Sequence, residues 1–132
     1  MLTVDVVALT RVAETPRVLL IQRRNPPFAG SWALPGGFVE EGEQVIEAAP
    51  RELAEETGLQ VDSLELLGVY DTPGRDPRGW TVSVVYVAHV DREASVAGAD
   101  DAADARWFAV DRLPQLAFDH AVVLADALRG HC

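Results

Sequence analysis

The sequence predicts an α+β fold in which helices pack on a mixed β-sheet. β-branched and aliphatic runs occur before, between and after two stretches with helical character. The composition, with 48% hydrophobic and 24% charged residues, is that of an ordinary globular domain. A chain of 132 residues can bury a substantial core. We therefore expect residues 1–132 to form a single domain.

The strands are predicted from runs of β-branched and aliphatic residues. Residues 2–9 and 17–22 predict two strands on either side of a polar turn. Residues 64–71 and 80–90 predict two more, and the second of these is apolar on both alternating faces, which indicates burial on both sides. A short strand is expected at 105–110, after a second long polar stretch.

Two helices are expected between and after these strands. Residues 25–37 hold three prolines and three glycines, so they predict an irregular loop. A helix should follow at 44–57, because Gly58 stands where a C-cap glycine belongs. Asp119 has the side chain of an N-cap and predicts a last helix at about 120–129.

Charge and cysteine content exclude several classes of protein. The net charge of −10 argues against a nucleic-acid backbone as partner. No apolar run is long enough to span a membrane, and residues 1–11 lack the basic start and apolar block of a signal peptide. Cys132 is the only cysteine, so an internal disulfide is impossible. We expect a cytoplasmic protein that binds neither nucleic acid nor membrane.

The predicted helix at 44–57 carries the residues with the clearest chemical meaning. Glu52, Glu55 and Glu56 fall within one sector of about 100° on a helix. Carboxylates so close repel one another unless a cation binds them, and Mg²⁺ and Mn²⁺ prefer such oxygen ligands. Arg51 lies one turn before Glu55 and can brace the cluster. An acidic helix face on its own is more often a solvated surface than a metal site.

The spacing around this helix decides between a metal site and a solvated surface. The segment GFVEEGEQVIEAAPRELAEETGL, which begins at Gly37, resembles the Nudix signature G-x5-E-x7-R-E-U-x-E-E-x-G-U, in which U is aliphatic. Every fixed position is filled, and the chance of such a match is on the order of 10⁻⁸ at usual residue frequencies. The preceding run GSWALPGG, from Gly30, is also similar to the family.

The resemblance implies a Nudix-type mixed β-sheet sandwiched between helices (α/β/α) and hydrolysis of a phosphoric anhydride with Mg²⁺ or Mn²⁺. It implies that a metal is held by the carboxylates of Glu52, Glu55 and Glu56 and by a backbone carbonyl, which is expected at Gly36 or Gly37. Glycine would let the backbone come close to the metal.

The resemblance leaves the general base open. Family members use either a glutamate of the signature or a carboxylate on a later loop, which here is Asp101 in the segment 99–104. Glu43 is expected to support the ligands by hydrogen bonding or through water. Catalytic roles are therefore expected for Glu43, Arg51, Glu52, Glu55 and Asp101.

Pro50 departs from an ordinary helix, because it lacks a backbone donor and crowds the carbonyl of Ile46. It predicts a kink before the acidic residues. Alternatively, the helix starts near Ala49 and Pro50 is a first-turn residue. Glu43 and Glu47 would then lie in the loop.

Several residues are candidates for substrate contacts. The loop 72–79 contains Arg75 and Arg78, and the segment 116–120 ends at His120; both runs look like those of ADP-ribose pyrophosphatases and their relatives. An Asp76 turn and the Asp119 N-cap would equally explain them. Further contacts are expected from Arg23 or Arg24, at the end of the second strand, and from Trp32 in the loop after it. Trp32 could stack on a base, but packing inside the protein is an equally good role for it.

Three functions stay open at this point. The first is cleavage of ADP-ribose, or a similar nucleoside diphosphate derivative, to AMP and ribose 5-phosphate. The second is cleavage of a nucleoside triphosphate, oxidised ones included, to a monophosphate and diphosphate. The third is a non-catalytic ADP-ribose sensor; similar regulators carry an added DNA-binding domain, for which this acidic chain gives no sign. The expected partner is a nucleotide-derived small molecule, and many relatives are homodimers.

Overall fold

The computed structural model describes residues 1–10, 15–91 and 93–131. These form strands and two helices, numbered in chain order: β1 (Leu2–Thr10), β2 (Arg17–Arg23), β3 (Trp32–Ala33), β4 (Gly36–Phe38), α1 (Val45–Thr57), β5 (Glu65–Tyr70), β6 (Val82–Val90), β7 (Ala102–Ala109) and α2 (His120–His131). The predicted turn between β1 and β2 falls mostly on residues 11–14, which lie outside the described residues. Cys132 also lies outside them.

The strands form one mixed sheet in the order β3-β2-β1-β6-β5, with β4 paired to β1 and β7 paired to β2. β1 and β6 run parallel along their full length, from Leu2 opposite Val82 to Thr10 opposite Val90. The other strand pairings are antiparallel. The predicted mixed sheet is therefore confirmed.

The two helices cover opposite faces of the sheet. Successive side chains of a strand point to opposite sides, and Val4, Val6 and Ala8 of β1 pack with Ala48, Ala49 and Leu53 of α1. Val7 and Leu9 pack instead with Val123, Leu124 and Ala127 of α2. β1 is thus buried on both faces from Thr3 onwards. The predicted α/β/α arrangement is confirmed.

Most strand bounds agree with the prediction to within two residues, and two regions differ more. β7 begins at Ala102, before the predicted 105, because it pairs with β2 from Arg17 opposite Ala109 to Arg23 opposite Ala102. The expectation of an irregular loop throughout 25–37 is wrong for β3 and β4. These short segments pair with β2 and β1, and this tertiary pairing outweighs their glycine and proline content.

Helix α1 begins at Val45, so the alternative start near Ala49 is wrong. Glu47 Oε1 accepts a hydrogen bond from the backbone N of Gln44 at 2.9 Å, which satisfies a donor at the helix start. Gly58 ends the helix in the left-handed conformation, with φ 78°, as predicted. Pro50 lies inside the helix; the kink stays a prediction.

No helix in the described ranges is long and apolar enough to cross a membrane.

Candidate active site

A cavity of about 490 Å³ is lined by residues from β1, β2, β4, β6, both helices and the loops between them. Its size is within the range of small-molecule sites. Two parts of the lining differ in chemistry. We call Glu40, Glu52, Glu55, Glu56 and Asp101 the acidic wall, and Arg23, Phe38, Arg78 and Phe118 the arginine–aromatic wall.

Glu56 is the buried centre of the acidic wall. It is 5% exposed, and its Oε1 accepts a hydrogen bond of 2.7 Å from the backbone N of Gly36. Burial, and to a smaller extent the nearby carboxylates of Glu52, Asp5 and Asp101, raise the pKa of Glu56 to about 8, although the hydrogen bond from Gly36 opposes them. Burial also raises the pKa of Glu52. These carboxylates need a proton or a cation to be stable side by side.

The two glycines of β4 let the backbone lie directly against these carboxylates. A Cβ atom at Gly37 would lie 2.5 Å from Glu52 Oε2, and one at Gly36 would collide with the Val4 carbonyl and the Asp5 carboxylate. The backbone of β4 therefore lies against the carboxylates, and its predicted approach to a metal stays a prediction. Because of these close contacts, only glycine fits at Gly36 and Gly37.

Arg51 holds the acidic residues in place. Its Nε donates to Glu43 Oε2 at 2.6 Å, its Nη1 donates to Glu52 Oε1 at 2.9 Å, and the same Nη1 lies 3.2 Å from Glu55. Hydrogen bonding to Arg51 lowers the pKa of Glu43. Glu43 is not among the cavity-lining residues, so it acts on the site through Arg51. This is the bracing predicted from the helix spacing.

The donor set fits a hard divalent cation. Within the described ranges, no three His, Cys, Asp or Glu side chains are already gathered as an ion-binding cluster. Glu52, Glu55 and Glu56 nevertheless all line the cavity beside Gly36, and oxygen-only ligands are those that Mg²⁺ and Mn²⁺ prefer. A cation bound there would stabilise the charged form of Glu56, whose pKa is raised by burial and by the neighbouring carboxylates.

Asp101 reaches the same cavity from the loop before β7. It is exposed, and its Oδ1 accepts a hydrogen bond of 3.4 Å from the side chain of Asn25. The structure therefore brings the loop carboxylate to the acidic residues of α1, although they lie far apart in sequence.

Asp5 was not predicted as a site residue. It is 7% exposed, lines the cavity, and burial raises its pKa to about 7. It lies 3.7 Å from the Nε2 atom of His120. The sequence held one signal, because Asp5 is the only charged residue in the apolar run 2–9.

His120 lines the cavity, but it is mostly packed inside the protein. It is 5% exposed, and its Nδ1 accepts a hydrogen bond of 3.0 Å from the backbone N of Leu34. Burial lowers the pKa of His120 to about 4. Because Nδ1 is an acceptor, the proton of the neutral ring is on Nε2, which faces Asp5. The predicted substrate contact of His120 stays a prediction.

Arg75 braces the cavity from within the protein. Its side chain is 5% exposed, and it donates to both oxygens of Asp119, at 2.9 and 2.7 Å, and to Ser83 Oγ at 2.6 Å. Asp119 stands directly before α2, and its carbonyl accepts from the backbone N of Val122 at 2.9 Å, so it lies at the predicted N-cap position. Its carboxylate binds Arg75. All three guanidinium nitrogens of Arg75 are engaged within the protein, so it is a weaker candidate for substrate contact than Arg78.

Arg78 extends into the cavity from a turn that Asp76 holds. Asp76 accepts from the backbone N of Arg78 at 2.9 Å and from its Nη2 at 2.8 Å. The predicted Asp76 turn and the predicted position of Arg78 at the site are therefore both present. Arg23 lines the cavity as well, and burial lowers its pKa.

Trp32 and Arg24 are not among the cavity-lining residues. The Trp32 ring packs edge-on against Phe108, with 4.8 Å between centroids, so the packing role replaces the predicted stacking on a base. Arg24 donates its Nη2 to the Ala102 carbonyl at 3.3 Å. Of the two arginines at the end of β2, the structure brings Arg23 to the site.

Comparison with known proteins agrees with this geometry. An ADP-ribose pyrophosphatase of Methanocaldococcus jannaschii is 51% identical over 113 residues, which are 86% of this chain and 66% of that protein. The ADPR responsive transcriptional repressor NtrR of Acinetobacter baylyi is 35% identical over 131 residues, 96% of this chain and 52% of that protein. The chain thus spans about two thirds of the first relative and half of the second.

A solved structure and a family model complete the comparison. The NUDIX domain of Shewanella oneidensis NrtR, solved with ADP ribose, has a TM-score of 0.93 and 34% identity, covering 100% of this chain and 88% of that one. The model of the NUDIX domain matches residues 1–127. With every signature position filled and the acidic residues gathered at one cavity, this chain belongs to the NUDIX domain family.

Proposed function

We propose that the chain is a metal-dependent hydrolase that cleaves the diphosphate of ADP-ribose to AMP and ribose 5-phosphate. One observation carries the proposal: Glu56 is buried, hydrogen-bonded to the Gly36 backbone and surrounded by other carboxylates in a cavity that also contains arginines. The 51% identity to an ADP-ribose pyrophosphatase supports this choice of substrate.

The proposed metal ligands are Glu52, Glu55, Glu56 and the carbonyl of Gly36. A bound Mg²⁺ or Mn²⁺ would supply positive charge to the diphosphate, which the carboxylates alone would repel. Arg51 keeps Glu52 and Glu55 in position through its ion pairs. Glu43 in turn orients Arg51.

Asp101 is proposed as the group that accepts a proton from the attacking water. It is exposed and lines the cavity, so it can meet both water and substrate. Glu55 is the alternative, because it is the most exposed of the three α1 glutamates at the cavity. Activity that survives Asp101→Asn would exclude Asp101 as the base. Loss of activity in Glu55→Gln at unchanged metal affinity would then transfer the role to Glu55.

A sensor without catalysis is a weaker alternative. The NtrR repressor supports it through 35% identity, but the complete set of acidic residues favours turnover. We further propose that the domain acts in the cytoplasm on a nucleotide-derived small molecule and does not itself bind nucleic acid, because its net charge is −10. Homodimerisation stays a prediction.

Product analysis by chromatography tests the proposal. The purified protein, with Mg²⁺ or Mn²⁺, would be offered ADP-ribose, NADH, sugar nucleotides and nucleoside triphosphates. We expect AMP and ribose 5-phosphate from ADP-ribose. Glu56→Gln should abolish them, while Glu47→Gln, on the exposed side of the same helix, should not. Chelation of the metal should also abolish them.

The other outcomes identify the alternatives. Diphosphate released from a triphosphate, with ADP-ribose untouched, would replace the proposed substrate with a nucleoside triphosphate. ADP-ribose that binds without any product would show a sensor.

A further inference from the structure

Two phenylalanines near the cavity have an unusual backbone conformation. Phe28 and Phe118 have φ values of 62° and 53°, in the left-handed region that bulky residues rarely adopt. Their rings meet edge-on, with 4.9 Å between centroids. Such strain persists only where the surrounding structure enforces it, and it is concentrated at functional sites. The conformation therefore points to a role for the Phe118 ring at the cavity that it lines.

Arg78 is fixed next to this ring. Its guanidinium carbon lies 5.7 Å from the Phe118 centroid and 5.2 Å from the Phe38 centroid. Asp76, which is 5% exposed, orients the guanidinium through bonds to both Nε and Nη2. The side chain of Arg78 remains 35% exposed. A planar group can therefore still reach it from the cavity.

Exposed apolar surface is concentrated at the same place. Phe28 and Phe38 expose 43% and 46% of their surface, although burial of such rings is favourable. Aromatic rings and guanidinium planes that face a cavity bind flat, conjugated ligands by stacking. The diphosphate of the substrate would lie at the acidic wall with its cation, which leaves the arginine–aromatic wall for one of the two groups that the diphosphate joins. Of these two groups, only the adenosine carries a flat, conjugated ring.

We propose that Phe118, Phe38 and Arg78 form a stacking site for the nucleobase of the substrate, and that Asp76 is a positioning residue that holds Arg78. The proposal rests on the proposed function and assigns the place of the base within that site. It also assigns Arg78 to the base, and not to the phosphate or ribose.

Calorimetric titration with AMP and with ribose 5-phosphate, in Mg²⁺ buffer, tests the proposal. The two ligands share a phosphorylated ribose, and only AMP has a base. The wild type should bind AMP more tightly. Phe118→Leu keeps an apolar side chain but removes the ring, and it should weaken AMP roughly tenfold while ribose 5-phosphate changes by less than about twofold. Phe38→Leu, at an exposed position, should have the same selective effect if Phe118→Leu does not fold.

Arg78→Lys separates stacking from charge. Lysine keeps the positive charge and loses the planar guanidinium, so AMP binding should fall several-fold and ribose 5-phosphate binding should not. Asp76→Asn should reproduce this loss, and the double variant should lose no more than Arg78→Lys alone. Trp80→Leu, which changes an exposed ring outside the cavity lining, is the matched control and should leave both ligands unaffected.

Several outcomes would overturn the stacking site. In the wild type, these are equal affinity for the two ligands or no measurable binding of AMP. In the variants, they are an equal weakening of both ligands by Phe118→Leu and Phe38→Leu, or an effect of Trp80→Leu as large as the effect of those two substitutions. An enzyme that cleaves ADP-ribose and shows any of these results retains the proposed function and loses only the stacking site. If the protein prefers AMP as expected but does not cleave ADP-ribose, the stacking site is retained and the proposed function is lost.

Discussion

The two walls of the cavity are assembled from very different stretches of chain. Most of the acidic wall comes from two turns of α1, where Glu52, Glu55 and Glu56 follow one another. The arginine–aromatic wall joins the end of β2, strand β4, the loop after β5 and the residue pair before α2. Apart from Asp101, the acidic wall is therefore local in sequence, whereas the arginine–aromatic wall depends on the complete sheet.

This difference suggests separate roles for the two walls: the acidic wall carries out the reaction, and the arginine–aromatic wall selects the ligand. Side chains three and four apart on a helix share a face whatever the rest of the fold does, so the acidic wall can stay constant while loops change. The arginine–aromatic wall depends on turns held by Asp76 and Asp119, and loops are the usual place where binding preference varies. We expect substitutions in the acidic wall to lower turnover and those in the other wall to change the choice of ligand.

The largest expected effect is in the acidic wall. Glu52→Gln should reduce kcat by about a thousandfold, because it removes a charge at the proposed metal site and leaves the shape unchanged. The preference for AMP over ribose 5-phosphate, measured by calorimetry, should stay the same. A variant that loses this preference together with turnover would show that the two walls do not act separately.

The next effect concerns the framework of the arginine–aromatic wall. Arg75→Met should lower the free energy of unfolding by roughly 3 kcal/mol, because it leaves the carboxylate of Asp119 without its partner. Urea denaturation measures this loss, and adding Asp119→Asn should recover part of it. If Arg75→Met is as stable as the wild type but binds ADP-ribose poorly, Arg75 is a ligand and not a brace.

His120 should make stability depend on pH. Its pKa is lowered to about 4 in the folded protein, against 6.5 for the ordinary side chain. Between these values the unfolded chain binds the extra proton, so the contribution of His120 is complete above pH 6.5 and is lost as the pH falls towards 4. From pH 7.5 to 5, the wild type should lose about 2 kcal/mol relative to His120→Asn in urea denaturation.

Asp5 acts in the opposite direction in this experiment. Its pKa is raised to about 7, so its contribution to stability falls as the pH rises through 7. Because Asp5 lies 3.7 Å from His120, the comparison should be repeated with Asp5→Asn in both proteins, and the difference between that pair isolates His120. An unchanged difference across this range would mean that His120 is charged in the folded protein.

The smallest effect is expected at Pro50. Pro50→Ala restores a backbone donor for the carbonyl of Ile46, and it should raise the free energy of unfolding by about 1 kcal/mol, since greater freedom of the unfolded chain offsets part of the gain. Turnover should not change, because the catalytic glutamates follow the proline. A change in kcat at unchanged metal affinity would show that the proline sets the positions of the acidic side chains.

The sequence predicted those features that depend on local periodicity or on close spacing. The helix at α1, its C-cap at Gly58 and the bracing by Arg51 all follow from residues within one or two helical turns. The order of strands in the sheet did not follow from the patterns. It requires pairing between segments that are far apart, such as β1 with β6.

The buried polar contacts were beyond prediction for the same reason. Asp5 faces His120, and Arg75 binds Asp119, only because β1, the loop after β5 and α2 come together in the folded protein. The backbone of Phe28 and Phe118 was equally hidden, since nothing in a phenylalanine side chain favours a left-handed conformation.

The pairing of β1 with β6 also has a consequence for how the protein is made. The ribosome completes β1 first, but its parallel neighbour begins at Val82 and ends at Val90. At roughly 5–20 residues per second, several seconds pass before that partner is synthesised. Throughout that time the apolar central strand is in a nascent chain whose sheet is incomplete, so chaperones that bind emerging apolar segments should meet this protein at β1.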